Sequence, residues 1–314
     1  MRYITLLCHR IVVNLKNNMK IQITNPVIMK LRILSCLTCC LAAFVSCSGP
    51  AQDMFVPEGY ELLWSDEFEG DSLNRDYWTP ETGRGHGGWG NAELQYYTDR
   101  EENLAVRDGK LVITARKEAY EGAQVTSARI KTLDKVTFLY GYVMASIKLP
   151  KTADGLWPAF WMMGNDITEL GWPNCGETDV LEMGHSDGIK ADTQEQHLNG
   201  ACHWGVPHHQ YSANHITNEY SVQDGEFHTY TCIWDEEYIR MYIDLEKRPS
   251  AAPYFEMKIE DFGDGEFRKE NFILFNLAVG GNFPAIWDIN QITALDGGPA
   301  EMQVDYIRVF QKKN

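Results

Sequence analysis

The chain has 314 residues, with 44 acidic side chains against 28 basic ones and a net charge of −16. So acidic a surface repels nucleic acid, anionic membrane and sulfated or uronic-acid polymers, and leaves a neutral polymer as the easier partner. Five of the eight cysteines precede residue 48, and Cys175, Cys202 and Cys232 have no zinc-ligand spacing. At most one disulfide can form among those three, and their spacing does not choose it.

Residues 1–47 read as a leader rather than as fold. Six basic residues and no acid lie there, so the remainder carries 22 basic against 44 acidic residues, a net −22. Met29-Lys30-Leu31-Arg32 opens a short apolar run, Ile33 to Val45, that ends in small residues. This is the n-region, h-region and cleavage pattern of a secretory signal, and it is too short for an ordinary membrane span. Met29 is the expected natural start. Phe44-Val45-Ser46-Cys47 resembles a bacterial lipoprotein box, which implies lipidation of Cys47 and attachment to a membrane only through that anchor. The expected location is the bacterial outer membrane or cell surface; without lipidation it would be periplasmic or secreted. Residues 48–57 are a polar tether, and residues 58–314 suit one large β-domain, expected to be monomeric.

Beyond the tether, short β-prone runs alternate with turn residues, the pattern of an all-β sandwich. Predicted strands are 60–64, 93–98, 110–117, 126–132, 136–149 and 156–163, then 177–183, 197–204, 228–234, 238–244, 272–279 and 302–310. No amphipathic helix longer than two turns is evident. In 136–149, alternation puts Leu139, Gly141, Val143, Ala145, Ile147 and Leu149 on a core face. Phe138, Tyr140, Tyr142, Met144, Ser146 and Lys148 then form a mixed aromatic face. In 272–279, Ile273, Phe275, Leu277 and Val279 face inward, and Leu274, Asn276 and Ala278 outward. Mixed outward faces of this kind predict a concave groove. In 156–163, Trp157 and Trp161 share a face with only Ala159 between them. Trp172 lies in a Gly-Trp-Pro turn, and Trp204 follows His203.

The stretch with most chemistry is Gly176-Glu177-Thr178-Asp179-Val180-Leu181-Glu182-Met183-Gly184. Glu177 and Asp179 share a strand face, but strict alternation would send Glu182 into the core, where an unpaired carboxylate is costly. A β-bulge absorbing Val180 or Leu181 returns Glu182 to the face of the other two. Three acids on one face, with no base between them, stabilise little. They suit a pair of catalytic carboxylates with a third acid tuning their proton affinity.

Trp157-Pro158-Ala159-Phe160-Trp161-Met162, Gly171-Trp172-Pro173 and Gly176 to Glu182 together resemble the laminarinase branch of glycoside hydrolase family 16. Similar stretches recur in order along most of the chain, at Trp64 to Phe68, Gly90 to Thr98, Thr126 to Ile130, Lys148 to Pro150, Asn276 to Gly281 and Val304 to Val309. The resemblance implies a jelly-roll β-sandwich with a cleft across its concave sheet, and retaining cleavage of a β-linked polysaccharide such as a β-1,3- or mixed β-1,3/1,4-glucan. It implies Glu177 as nucleophile, Glu182 as general acid/base and Asp179 as the assisting acid, with no cofactor required for catalysis. Proximity to the other acids should raise the pKa of Glu182. The resemblance further implies sugar-binding roles for Asn91, Trp157, Trp161, Trp172, His203 and Asn276. It also implies a possible structural calcium at Asp305, with backbone groups near Glu67 and Gly109.

One departure stands out. Where relatives often read Tyr-Gly-Arg-Phe-Glu-Ala-Arg, this chain has Tyr140-Gly141-Tyr142-Val143-Met144-Ala145-Ser146. The alternation above places the lost charges on the groove face, so a weaker preference for pure β-1,3-glucan is expected. The alternatives are a hydrolase of another neutral polymer, such as a galactan, and a non-catalytic glycan-binding lipoprotein. The complete acid triad speaks against the second.

Overall fold

In the computed structural model, residues 54–205, 208–259 and 265–313 are described. The expected leader, Cys47 and most of the tether lie outside them. In chain order the strands are β1 (Tyr60–Asp66), β2 (Thr79–Glu81), β3 (Tyr96–Tyr97), β4 (Leu104–Arg107), β5 (Lys110–Tyr120), β6 (Ala123–Ser127), β7 (Arg129–Lys131), β8 (Gly141–Lys148) and β9 (Leu156–Gly164). There follow β10 (Glu177–Met183), β11 (His197–Trp204), β12 (Gln210–Thr217), β13 (His228–Trp234), β14 (Tyr238–Ile243), β15 (Phe255–Lys258), β16 (Asn271–Val279) and β17 (Ala300–Lys312). Two short helices, α1 (Ile167–Leu170) and α2 (Ser186–Ala191), sit in the connections flanking β10.

The strands form two sheets. A ten-stranded sheet runs β15-β14-β13-β8-β17-β5-β6-β3, with β1 on β17 and β4 on β5; a seven-stranded sheet runs β12-β11-β10-β9-β16-β7-β2. Neighbours such as β8 and β17, or β9 and β16, are far apart in sequence, the long crossovers of a jelly-roll sandwich. One core lies between the sheets. Val143, Ala145 and Ile147 of β8 meet Phe160 and Met162 of β9 and Ile273, Phe275 and Leu277 of β16 there. Full burial of side chains of this size contributes about 1.5–3 kcal/mol each, so alternation on these strands decides which residues remain for the outer faces.

On β9 and β16 the predicted faces are those observed. Within β8 they are too, with Val143, Ala145 and Ile147 in the core and Tyr142 and Met144 on the opposite face; just before it, at residues 138–139, they are not. The strand begins only at Gly141, because Tyr140 (φ 60°) and Gly141 (φ 152°) break the extended backbone. Phe138 therefore points into the core and Leu139 is exposed, the reverse of the predicted alternation. Moreover, β8 belongs to the ten-stranded sheet, so its second face is the outer one, away from the cleft. Tyr142 and Met144 pack there with Phe310, Tyr60 and Ile233. The expected groove face on this strand is an apolar outer cluster, and the reasoning that tied Tyr142, Met144 and Ser146 to sugar preference falls with it.

Cys175, Cys202 and Cys232 are free thiols, all buried. They pack as small apolar groups.

Candidate active site

The predicted bulge lies in β10. Against β11 the register runs Asp179↔Ala201 and then Glu182↔Asn199, so Val180 and Leu181 both stand opposite Gly200. Both enter the core, and the two apolar side chains offset the lost ladder pairing. A side chain at Gly200 would meet Met241 Sδ at 2.8 Å and Tyr254 at 2.9 Å, so any larger residue would force these core side chains to shift. The Val180 carbonyl accepts a hydrogen bond from the Tyr254 hydroxyl, satisfying a buried group that would otherwise be costly.

The result is that Glu177, Asp179 and Glu182 line one cleft of about 860 Å3 on the outer face of the seven-stranded sheet. Glu182 is 8% exposed. Its Oε1 accepts from Trp157 Nε1 at 3.0 Å and its Oε2 from Asn199 Nδ2 at 2.7 Å. Burial first, and the neighbouring Asp179 second, push its pKa up to about 8, against the pull of His203 and the two hydrogen bonds. Burial likewise raises Asp179 to about 8. Glu177 is raised as well, by burial and then by Asp179, while His203 opposes the shift. His203 faces the pair directly, with Nε2 3.4 Å from Asp179 Oδ2, and its Nδ1 lies 3.0 Å from His209 Nε2. The centre thus holds more protons near neutrality than three ordinary carboxyls would, as a proton-donating site requires.

Every sugar-binding residue expected from the sequence lines this cleft: Asn91, Trp157, Trp161, Trp172, His203 and Asn276. Their surroundings differ in kind. Trp172 is a broad plate, 49% exposed. Trp157 stacks on Phe283 (4.7 Å between ring centroids, 10° between planes) while its N–H holds Glu182. Trp161 donates to Asn276 Oδ1 at 2.7 Å. Asn91 donates to Glu93 at 3.4 Å.

Sequence reasoning passed over several groups in the same cleft. The Arg129 guanidinium lies 4.6 Å from the Trp89 ring and 4.8 Å from the Trp161 ring. Its Nε is 2.5 Å from Glu81 Oε2, and Lys131 Nζ is 2.7 Å from the other Glu81 oxygen. Burial works against ionised Glu81, but the two cations outweigh it and hold the carboxyl below its ordinary range. The cleft therefore has its arginine, on β7 rather than on β8. Glu93 is buried beneath Asn91, with Gln95 and Tyr97 donating to it, and burial raises its pKa. Asn199, His185 and His215 close the wall beside Glu182. The signal for Asn199 is its place two residues from Ala201 and four from His203 on one strand, all sharing a face.

Asp305 is half-buried on β17, and burial raises its pKa. Both carboxylate oxygens of Glu67 are engaged by Arg308, at 2.9 and 2.7 Å. The expected calcium would therefore draw on Asp305 and on backbone oxygens near Glu67 and Gly109, as the resemblance implies, and not on the Glu67 side chain.

A concave sheet with buried carboxylates on a bulged strand, walled by tryptophans, defines a β-sandwich glycoside hydrolase. The chain belongs to the glycosyl hydrolases family 16, whose family profile matches residues 91–253. It is 36% identical to the clotting factor G alpha subunit of Tachypleus tridentatus over 80% of this chain, and spans about a third (34%) of that protein's length. It is 33% identical to a beta-glucanase of Rhodothermus marinus, over 86% of this chain and 92% of the relative. Among solved structures, a Bacteroides ovatus family 16 enzyme from a mixed-linkage glucan locus, in complex with its G4G4G3G product, superposes with a TM-score of 0.69. It has 36% identity, and the match covers 79% of this chain and 100% of that one.

Proposed function

We propose that the protein is a retaining endo-β-glucanase that cleaves β-1,3- and mixed β-1,3/1,4-glucans, with Glu177 as nucleophile and Glu182 as general acid/base. The observation that carries this reading is the contrast between two acids on one bulged strand. Glu182 is buried, protonated up to about pH 8 and aimed by two fixed donors, Trp157 and Asn199. Glu177 stands half-buried at the other end of the motif, paired across the ladder with His203.

In the first step the Glu177 carboxylate forms a bond to the anomeric carbon. The glycosidic bond breaks, and the Glu182 proton moves to the leaving oxygen. In the second, Glu182, now ionised, takes a proton from water, whose oxygen displaces Glu177 from the glycosyl ester. Asp179 can hold a proton beside Glu177, and positive charge developing on the sugar ring favours the ionised nucleophile. Both roles come from the chain's own carboxyls. The beta-glucanase relative and the structure bound to a mixed-linkage product support the choice of glucan.

The test is a panel of neutral β-glucans and galactans with chromatography of the products. Release of oligosaccharides from laminarin-type and mixed-linkage glucans is expected; cleavage of galactan alone would redirect the assignment. We also infer that Cys47 is lipidated and holds the enzyme at the cell surface, on the strength of the basic, apolar and small-residue order before it. Cys47→Ser should release the protein from membranes with activity unchanged, and equal membrane recovery of the variant would refute the anchor.

A further inference from the structure

Glu182 is held by more than its immediate neighbours. The Asn199 amide donates through Nδ2 to Glu182 Oε2 at 2.7 Å, and its Oδ1 lies 3.0 Å from His215 Nδ1. Once Glu182 is ionised, the carboxylate fixes which way the amide points, since an anion accepts and cannot donate. The amide oxygen then faces His215, so His215 Nδ1 carries the hydrogen and donates it. The two residues stand directly opposite each other across β11 and β12. On its other faces the His215 ring stacks on His185 (5.2 Å, 22°) and His197 (5.4 Å, 26°), and these two stack on each other at 5.9 Å. His185 is fixed in turn, its Nδ1 accepting from the Asp187 amide at 3.1 Å and Phe283 packing edge-on at 4.9 Å.

We propose that Asn199 and His215 are positioning residues, a two-link relay that sets the orientation and proton affinity of Glu182; this rests on reading Glu182 as the acid/base. A hydrogen bond to the ionised form of a carboxyl favours that form. Asn199 therefore opposes the raising effect of burial and Asp179. A donor on the amide oxygen polarises the amide and strengthens its N–H as a donor. The relay thus steadies ionised Glu182 between the two chemical steps, when it awaits a proton from water. The titratable and charged groups around it are Asp179 and Glu177 on β10, His203 on β11 and Tyr254 at Glu182. Around His215 they are His185, His197, and Asp187 and Lys190 of α2. Burial holds His185 and His197 below the ordinary histidine range, so the stack that fixes His215 is uncharged near neutrality.

The experiment is a pH profile of kcat and KM, on polysaccharide and on an aryl oligosaccharide with a good leaving group, for the full chain and three variants. Asn199→Ala should move the basic limb of kcat/KM up by about one pH unit, the low end of the value of a hydrogen bond to a charged group. His215→Leu should move it in the same direction by less. His215→Asn, which keeps an N–H donor near the Nδ1 position without titrating, should restore the limb. In the first two variants kcat should fall and KM change little, with polysaccharide affected more than the activated substrate. A loss of activity with the basic limb unmoved, or failure of His215→Asn to differ from His215→Leu, would overturn the relay. Glu182→Gln, assayed alongside, separates the two layers. Its inactivity with unmoved limbs leaves the acid/base role standing and refutes the relay alone, whereas its full activity removes the reading on which the relay rests.

Discussion

Burying three acids for catalysis costs stability, and Glu182→Gln makes that cost measurable. The Glu182 carboxyl titrates near an ordinary 4.5 in the unfolded chain and at about 8 in the fold. Between those values the folded protein holds a proton that the unfolded chain has released, so raising the pH through the window favours unfolding. At 1.36 kcal/mol per unit, 3.5 units correspond to about 5 kcal/mol lost by pH 9 relative to pH 4 as an upper bound. Gln cannot ionise and escapes this loss. It does incur another, because Trp157 and Asn199 both present N–H groups and Gln has one acceptor and one donor to meet them. That mismatch costs about 1–3 kcal/mol. The variant should therefore be no more stable than wild type near pH 5, and more stable by roughly 2–4 kcal/mol at pH 9. For a domain of this size that is a difference in Tm of about 5–10 °C. Thermal unfolding followed by circular dichroism across pH 5–9 reads it directly. A Tm difference that does not change with pH would show that Glu182 does not titrate in this window and would refute the argument from burial.

Three further outcomes follow from particular contacts. Trp172→Ala should raise KM on polysaccharide about 5–10-fold and leave the Tm nearly unchanged, because the indole is 49% exposed and stacking of this kind is worth about 1 kcal/mol; an unchanged KM would remove it from the cleft's binding surface. Arg129→Met should destabilise by about 3 kcal/mol in urea denaturation by leaving Glu81 with Lys131 alone, and Glu81→Gln in that background should recover part of the loss; strictly additive losses would contradict the coupling. Tyr142→Arg should lower stability by about 3 kcal/mol by forcing a charge into the outer cluster of Phe310 and Tyr60, with no change in linkage preference; a shifted preference would return this residue to the cleft.

Much of the centre was legible from residue order alone, because alternation is a local rule. Three acids out of phase within an apolar strand demand a bulge, and β10 has it between Asp179 and Glu182. The facing of β9 and β16 followed for the same reason. The rule failed where backbone dihedrals interrupt it. Tyr140 and Gly141 put residues 138–139 out of phase with the strand that follows them, and alternation cannot say which of two sheets a strand will join. β12 escaped prediction because an exposed polar edge strand lacks an apolar face to announce it. Partners across strands, such as Asn199 with His215 or Glu81 with Arg129, depend on register. Register is set by the whole sheet, so single side chains gave little notice of these pairs.

The assignment of Glu177 as the residue that bonds to the sugar is tested most directly by trapping the glycosyl-enzyme. An oligoglucoside with fluorine at C2 of the reacting sugar and a good leaving group slows both steps, the second more than the first. Peptide mass spectrometry then locates the adduct. The mechanism predicts one added glycosyl group on the peptide containing Glu177 and sited on that residue, with β-configured product on slow turnover. An adduct on Glu182, or no adduct together with an α-configured first product, would contradict it.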